Sequence, residues 1–288
     1  MPQCRSISRA YVTGDATGGV MSEAGLQSVG MVGLGKIGGA VAQHILAAGH
    51  PVTVWARRPS TMAELVERGA VAVQSLGEIG QADVVISVVF DDEATREVVL
   101  GSAGFINSMR PGAIHVAMET ISPALSQELH DAHAERGQRY IAAPVFGRPQ
   151  AAAAGQLSII CSGPKDTYDV AAPILSAAGS TRWVGSDVGQ AMLVKLIGNH
   201  MILTMGELLG ETFTFLRAGG IDGAETKAAL LDTLMPGVLA GYAQRMVDQP
   251  DAPRPAASAI GRKDNGLVLA AAEQLDVPLP LAEFLRSH

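Results

Sequence analysis

The chain has 288 residues, a formal net charge of -7 and 48% hydrophobic residues. This length is sufficient for two domains, and aromatic residues make up only 4% of it, so the core must be built mainly from aliphatic side chains. No tract rich in Lys and Arg occurs, and we therefore expect no nucleic-acid partner. Cys4 and Cys161 share no motif, which argues against a disulfide framework and against a metal site.

The sequence also lacks the usual marks of a membrane or secreted protein. The longest apolar run of strand-like composition, residues 84–90, is much shorter than the roughly 20 residues that a helix needs to cross a bilayer. The N-terminal residues contain no apolar stretch of the kind found in signal peptides. Residues 1–25 are rich in Ser, Gly and Thr and are predicted to be a mobile tail. A cytoplasmic protein without a membrane partner is expected.

From residue 27 onwards, short apolar strands alternate with helical patterns, and this alternation is typical of a right-handed, doubly wound α/β sheet. Strands are predicted at residues 28–34, 52–55, 70–73, 83–90, 113–118, 139–143 and 157–162, and helices at residues 37–48, 61–68 and 122–136.

The pattern changes near Asp187. Residues 188–217 contain four charged residues and no proline, which predicts one long, mostly buried helix of about 45 Å. Only helical patterns follow, at residues 223–234, 236–247 and 262–275. A domain boundary is therefore predicted near Ser186.

A glycine-rich loop lies between the first predicted strand and the first predicted helix. It reads GLGKIG at residues 33–38 and has the GxGxxG spacing of a dinucleotide-binding turn in the required strand–turn–helix context. The three glycines serve a tight turn, close approach of the backbone to a pyrophosphate, and close packing of helix on strand. The helix N-terminus supplies free N–H groups to the phosphates. The predicted cofactor residues here are Gly33, Leu34, Gly35, Lys36, Ile37 and Gly38.

These patterns predict the fold class α/β. We expect an N-terminal doubly wound Rossmann domain at residues 26–186, followed by an all-α C-terminal domain at residues 187–288 with a long interdomain helix at its start.

The end of the second predicted strand indicates which cofactor is bound. An Asp or Glu at this point would accept a hydrogen bond from the ribose 2′-hydroxyl of NAD, but the chain has Arg57, Arg58 and Ser60 instead. Guanidinium groups match the geometry of a phosphate. We therefore predict NADPH/NADP as the cofactor.

Five segments together resemble the β-hydroxyacid dehydrogenase family, of the 3-hydroxyisobutyrate dehydrogenase and glyoxylate reductase type, which is related to the imine reductases. The segments are GLGKIGG at 33–39, METISP at 118–123, APVFGRPQAAAAGQLSII at 143–160, GSDVGQAMLVKLIGN at 185–199 and KDNGL at 263–267. The resemblance extends from about residue 27 to the C-terminus. It places Lys263 near the cofactor, and we also assign Phe90 and Asp91 to the cofactor site.

Lys195 is the candidate catalytic residue. It lies within an apolar helical segment and Asn199 follows four residues later, so both side chains share one helix face. A lysine in a partly dry cleft has a lowered pKa and can act as a general acid or base. The resemblance implies that Lys195 protonates the oxygen formed as hydride reaches a carbonyl carbon, and that Asn199 orients Lys195 or the substrate.

The chain departs from the family pattern at the predicted substrate site. Glu119, beside Thr120, stands where the family usually has Ser, and Phe146, Gly147 and Arg148 replace Ser-Gly-Gly. A Glu facing the substrate would repel a carboxylate and favour a cationic amine, an iminium or a neutral polar group. Arg148 could instead bind an acid or pair with Glu119, and Glu119 could also face solvent.

The leading hypothesis is an NADPH-dependent oxidoreductase that transfers hydride to a small aldehyde, ketone or keto acid. The alternatives are an imine reductase and, in another class, a non-catalytic NADP-binding regulatory protein.

A helix that is apolar almost all round must be buried, so a homodimer through residues 188–217 is expected. The dispersed histidines are predicted to be structural.

Overall fold

The computed structural model describes residues 26–234, 244–245, 247–249 and 257–287. The predicted tail at residues 1–25 and most of the predicted helix at 236–247 lie outside the described residues.

The strands of the described chain form one nine-stranded sheet. Six of them run parallel in the order β3-β2-β1-β4-β5-β6, after which β8 is antiparallel to β6, β7 is antiparallel to β8, and β9 is parallel to β8. The strands are β1 (Val29–Val32), β2 (Val52–Trp55), β3 (Val71–Ala72), β4 (Val84–Ser87), β5 (Ile114–Ala117), β6 (Arg139–Ala142), β7 (Val145–Phe146), β8 (Leu157–Ser162) and β9 (Gly179–Gly185).

The strand order reverses between β1 and β4, and ligands of such sheets bind in the crevice at the carboxyl ends of the strands at that point. All four residues of β1, β4 and β5 are buried, as expected for parallel strands covered by helices on both faces.

Helices cover the sheet and form the C-terminal part of the chain. Those between or beside the strands are α1 (Gly38–Ala47), α2 (Ala63–Glu67), α3 (Leu76–Ile79), α4 (Asp92–Leu100), α5 (Pro123–Ala134), α6 (Pro149–Ala153) and α7 (Lys165–Leu175). After the sheet follow α8 (Gln190–Ala218), α9 (Gly223–Thr226), a π-helical turn (Lys227–Leu231), α10 (Asp232–Leu234), α11 (Ala259–Gln274) and α12 (Pro280–Arg286).

The long helix α8 connects the sheet to the helices that follow it. Leu196 of α8 packs in one apolar cluster with Val268 and Ala271 of α11 and Ala282 of α12. By length and composition alone α8 could cross a membrane, but 44% of its most apolar window is buried within the described structure. The packed helix of a globular core passes the same test, so α8 is weak support for a membrane span.

The predicted fold class is confirmed: a parallel Rossmann-type sheet precedes a helical C-terminal part. The predicted strands at 52–55 and 157–162 match the observed bounds, and the predicted helix at 188–217 appears as Gln190–Ala218. The helix predicted at residues 61–68 is observed instead as a 3₁₀ turn, Pro59–Met62, followed by the short helix α2. The turn begins two residues earlier than the apolar pattern indicates, because proline favours the first position of a helical turn.

Candidate active site

A cleft of about 1430 Å³ opens at the carboxyl ends of β1, β2 and β4 and extends to α8 and α11. This volume exceeds that of a typical small-ligand pocket and leaves room for a dinucleotide together with a small substrate. The predicted site residues that line it are Gly33, Leu34, Gly35, Lys36, Ile37, Gly38, Arg57, Arg58, Phe90, Phe146, Gly147, Arg148, Lys195 and Asn199.

The glycine-rich loop has the geometry that a pyrophosphate requires. Gly33 has φ +89°, and a Cβ there would lie 2.3 Å from the carbonyl oxygen of Val88. A Cβ on Gly38 would lie 2.0 Å from the carbonyl oxygen of Gly33, whereas one on Gly35 would meet no atom within 4 Å. Gly33 and Gly38 are therefore needed for the turn and the packing, and the open side of Gly35 faces the cleft, where the backbone can approach a phosphate.

Helix α1 begins directly after this loop, and no side chain caps its N-terminus. Its first N–H groups and its positive dipole end thus remain available for an anion. These residues fit the diphosphate of a dinucleotide.

Arg57 and Arg58 line the cleft just beyond the end of β2, and both are exposed. Ser60, the third residue predicted to bind the 2′-phosphate, is exposed in the adjoining 3₁₀ turn and does not line the cleft in the described structure. Because both side chains are exposed, their guanidinium groups can turn towards the cleft and bind a phosphate there.

The candidate catalytic lysine is held in a chain of polar contacts. Lys195 Nζ donates to Asn199 Oδ1 at 2.8 Å, and Asn199 Nδ2 donates to Asp264 Oδ2 at 2.6 Å. Asp264 on α11 is only 6% exposed, and its other carboxylate oxygen lies 2.9 Å from Lys263 Nζ. The predicted pairing of Lys195 with Asn199 is thereby observed, and Asp264 fixes which way the Asn199 amide points.

Burial lowers the pKa of Lys195 to about 8, an effect that the Asp264 carboxylate opposes and Lys263 reinforces. Such a pKa suits a general acid, since the ammonium is present at neutral pH and still transfers its proton readily. The ammonium also lies 4.4 Å from the centre of the Phe146 ring, a position from which a cation is attracted to the ring face.

Lys263 has a structural contact that the sequence did not predict. Its Nζ donates to the carbonyl oxygens of Phe90 at 3.2 Å and Thr120 at 3.0 Å. It therefore joins α11 to the loops that follow β4 and β5. Lys263 does not itself line the described cleft, and Asp91, also predicted to bind the cofactor, accepts from the backbone N–H of Ala94 as the N-cap of α4.

Phe146, Gly147 and Arg148, which were predicted to bind substrate, line the same cleft as Lys195. The ring of Phe146 packs against α8 at Gly198, where an added Cβ would lie 2.4 Å from the ring. A glycine within a helix is unfavourable by about 1 kcal/mol relative to alanine; here it makes room for the ring beside Lys195. The site is consequently more apolar around the ammonium than a serine at position 146 would make it.

Glu119 and Thr120 are not brought to the cleft in the described structure. Glu119 is 3% exposed, so the alternative in which it faces solvent is wrong. Its Oε1 is hydrogen-bonded to Ser87 at 2.9 Å. Thr120 contributes its carbonyl oxygen to Lys263. A contact between Glu119 and a substrate therefore has no support from its position.

Two site residues were missed by the sequence reasoning. Asp264 directly follows Lys263, and a carboxylate on the same helix as an assigned cofactor residue was a usable signal. Gly198 lies within the predicted long helix between the two candidate catalytic residues, where an interior glycine commonly marks a close approach.

Comparisons with known proteins identify the family of the chain. The NAD binding domain of 6-phosphogluconate dehydrogenase matches residues 28–198. The uncharacterized oxidoreductase YfjR of Bacillus subtilis (strain 168) is 34% identical over 262 residues, which cover 90% of this chain and 92% of that protein.

Solved structures share the fold. The 3-hydroxyisobutyrate dehydrogenase of Salmonella typhimurium superposes with a TM-score of 0.81 at 28% identity, covering 91% of this chain and 92% of that one. An imine reductase from Pseudomonas sp. has a TM-score of 0.65 at 21% identity over the same shares of the two chains. The latter likeness concerns the fold alone.

The matched domain covers more than half of the chain and includes the glycine-rich loop and Lys195, which line the same cleft. The chain belongs to the NAD(P)-dependent oxidoreductases whose NAD-binding domain is of the 6-phosphogluconate dehydrogenase type.

Proposed function

We propose that this protein is an NADPH-dependent reductase of small carbonyl compounds, of the hydroxyacid dehydrogenase type, acting reversibly on CH–OH groups. The observation that carries the proposal is the contact chain Lys195–Asn199–Asp264, which places a lysine of lowered pKa in the cofactor cleft.

NADPH, when bound, supplies the hydride. The residues of the chain provide the proton and the orientation: as the carbonyl carbon receives the hydride, the C=O π electrons move onto oxygen, and Lys195 Nζ donates a proton there. Asn199 accepts from a second Nζ–H and so holds the ammonium in place, while Asp264 keeps the Asn199 amide from rotating. Neutral Lys195 then regains a proton from solvent before the next turnover.

The preference for NADPH over NADH rests on Arg57 and Arg58, together with the lack of an acidic residue between the end of β2 and the 3₁₀ turn. A carboxylate at this position would repel a 2′-phosphate, and two guanidinium groups attract it.

The surroundings of Lys195 support the proposed substrate class. The ring of Phe146 covers one side of the ammonium, which favours an aldehyde or ketone with an apolar substituent. Arg148 lines the same cleft, and its guanidinium would attract the carboxylate of a keto acid.

Imine reduction is the alternative. It was suggested by a Glu119 facing the substrate, and the buried position of Glu119 removes that support. The imine reductase fold is nevertheless shared, so cyclic imines belong in any substrate screen.

The experiment is a panel of apolar aldehydes, ketones, keto acids and cyclic imines, each assayed by loss of the reduced-nicotinamide absorbance with NADPH and with NADH. Turnover of carbonyl compounds with NADPH supports the proposal. Turnover of imines alone, or equal use of NADH, contradicts it.

We further propose that two copies associate through α8. Its exposed apolar side chains include Val194, Met201, Leu208 and Phe215, which recur at seven-residue intervals, and Phe215 is 78% exposed. Such spacing forms a continuous seam that a second helix can cover. Residues 26–186 would then be the NADP-binding domain and residues 187–288 the substrate and dimerisation domain of a cytoplasmic homodimer.

A further inference from the structure

Beneath the cleft runs an unbroken chain of hydrogen bonds through the interior of the sheet domain. Glu119 Oε1 lies 2.9 Å from Ser87 Oγ, and Ser87 Oγ lies 2.8 Å from His115 Nε2. His115 Nδ1 lies 2.9 Å from His133 Nε2, and His133 Nδ1 lies 2.8 Å from Gln138 Oε1. Ser87, His115 and His133 are fully buried, and Glu119 and Gln138 are nearly so.

The Gln138 end fixes the direction of every proton in the chain. Gln138 Nε2 donates to the carbonyl oxygens of Ile106 at 3.0 Å and Met109 at 2.8 Å. Because a flipped amide would set its oxygen against two carbonyls, Oε1 must be the atom that faces His133. His133 therefore carries its proton on Nδ1 and donates to Gln138.

The two imidazoles determine which atom donates in each hydrogen bond between Gln138 and Ser87. Neither ring is close to solvent, and burial disfavours a charged imidazole; burial lowers the pKa of His133 to about 4 and that of His115 well below its usual value. Each neutral ring has one N–H, so His115 donates from Nδ1 to His133. Its Nε2 must then accept the single hydroxyl proton of Ser87.

Ser87 has no second proton for Glu119. Its oxygen can only accept in that contact, so the donor must be Glu119, which requires a protonated carboxyl group. We infer that Glu119 is held as a neutral carboxylic acid that ends this chain, and that it positions the segment Val88, Val89 and Phe90, which forms a wall of the cofactor cleft.

The position of Glu119 links it to that wall. Ser87, its hydrogen-bond partner, directly precedes Val88, and all three residues of the segment line the cleft. The Phe90 carbonyl and the carbonyl of Thr120, next to Glu119, are held by the same Lys263 ammonium. A carboxylate in place of the acid would set two acceptors against each other at Ser87 and displace the segment.

The surroundings of Glu119 also favour the neutral form. The titratable groups around the chain are His115 on β5, His130 and His133 on α5, Arg136 just after α5 and Tyr140 on β6. At the Glu119 end they are Asp91, which caps α4, and Lys263 on α11. Burial raises the pKa of Glu119 to about 7, although hydrogen bonds with the backbone at Glu119 and Val89 and with the side chains of Ser87 and Thr95 oppose the shift. Its Oε2 has no hydrogen-bond partner among the described residues, which a carboxylate would tolerate poorly.

Glu119→Gln tests the inference, because a glutamine keeps a donor for Ser87 and cannot ionise. Glu128→Gln is the matched control: Glu128 is an exposed carboxylate of α5 that pairs with Arg96. The infrared difference spectrum of wild type minus Glu119→Gln at about pH 6 should contain the carbonyl stretch of a protonated carboxylic acid, and the control difference should not.

The unfolding equilibrium gives a second measure. Between about pH 5 and pH 7 native Glu119 keeps a proton that the unfolded chain has lost, so the unfolding constant of wild type relative to Glu119→Gln should rise about tenfold per pH unit. Below that range the two should have the same pH dependence. A flat ratio, or the lack of the acid band, overturns the inference.

Measurements of cofactor binding test the positioning role. This part of the inference depends on the proposed cofactor site and does not depend on which substrate is reduced. Glu119→Ala should weaken NADPH binding about five- to tenfold, as for one lost hydrogen bond, and Glu119→Gln should restore it to within about twofold. Failure of glutamine to rescue binding contradicts the positioning role. The infrared and unfolding measurements need no cofactor, so failure of the proposed reductase function would be seen separately.

Discussion

The charge of Asp264 should set the pH at which Lys195 stops working as a proton donor. Asp264→Asn keeps an oxygen to accept the 2.6 Å hydrogen bond from Asn199 Nδ2 and removes the carboxylate that raises the pKa of Lys195. The substitution therefore changes the electrostatics of the site and leaves its shape nearly intact.

The size of the effect follows from the geometry. Lys195 reaches Asp264 through the Asn199 amide. At a separation of about 7 Å and an effective dielectric constant of about 20, the attraction between ammonium and carboxylate is about 2.4 kcal/mol. Loss of this attraction lowers a pKa by between about one and two units, so that the pKa of Lys195 should fall from about 8 to between about 6 and 7.

The assay is kcat for carbonyl reduction against pH at saturating NADPH. Because the reaction needs the protonated amine, the wild-type rate should decline above about pH 8, and that of Asp264→Asn above about pH 6 to 7. At pH 8 the variant should therefore be about tenfold slower, and much less affected at low pH. Glu283→Gln, at an exposed ion pair with Arg286 on α12, is the control. An unshifted alkaline limb in Asp264→Asn would refute the proposed electrostatic link.

Three further predictions concern the cofactor, the substrate end of the cleft and the assembly. Arg57→Ala should weaken NADPH binding by about 1.5–3 kcal/mol with little change for NADH, as measured by calorimetry; equal losses for both cofactors would contradict the 2′-phosphate contact. Gly198→Ala should displace the Phe146 ring, since a Cβ there lies 2.4 Å from it, and should raise KM for apolar carbonyls severalfold; an unchanged KM would show that the ring does not shape the substrate site. Leu208→Glu should convert a dimer to a monomer in light scattering, because it buries a charge in the seam, and a wild type that is already monomeric would exclude the proposed α8 interface.

Much of the sheet could be predicted because local sequence determines it. The run at residues 84–86 is apolar throughout, and the strand that it begins is buried at every position, as expected for a parallel strand covered on both faces. The glycine loop could also be predicted from local sequence, since Gly33 and Gly38 each meet a local steric demand that excludes a side chain.

Helix α4 was not predicted, although it forms part of the cleft wall. Its sequence DEATREVVL is rich in charge, and only Thr95, Val98 and Val99 are buried. The usable signal was Asp91, which caps the helix by accepting from Ala94 N, as Asp commonly does before a first helical turn. Helix α7 was missed for a different reason: Pro173 lies within it, and an internal proline argues against a helix.

The direction of the Glu119 side chain could not be predicted from local sequence. Its partner Ser87 lies 32 residues earlier, and the histidines that continue the chain come from β5 and from α5. Their prediction as structural residues agrees with their burial, but their connection to Glu119 appears only once the strands are paired. A residue aligned with a family's substrate position can therefore turn inwards when the core provides polar partners.

The most direct test of the proposed function is the rate of NADPH oxidation by wild type and by Lys195→Ala with the best carbonyl substrate of the panel. The account predicts that wild type reduces this substrate and that Lys195→Ala lowers kcat by about 10²–10⁴-fold while NADPH binds with nearly unchanged affinity. Full activity in Lys195→Ala would contradict the assignment of Lys195 as the proton donor.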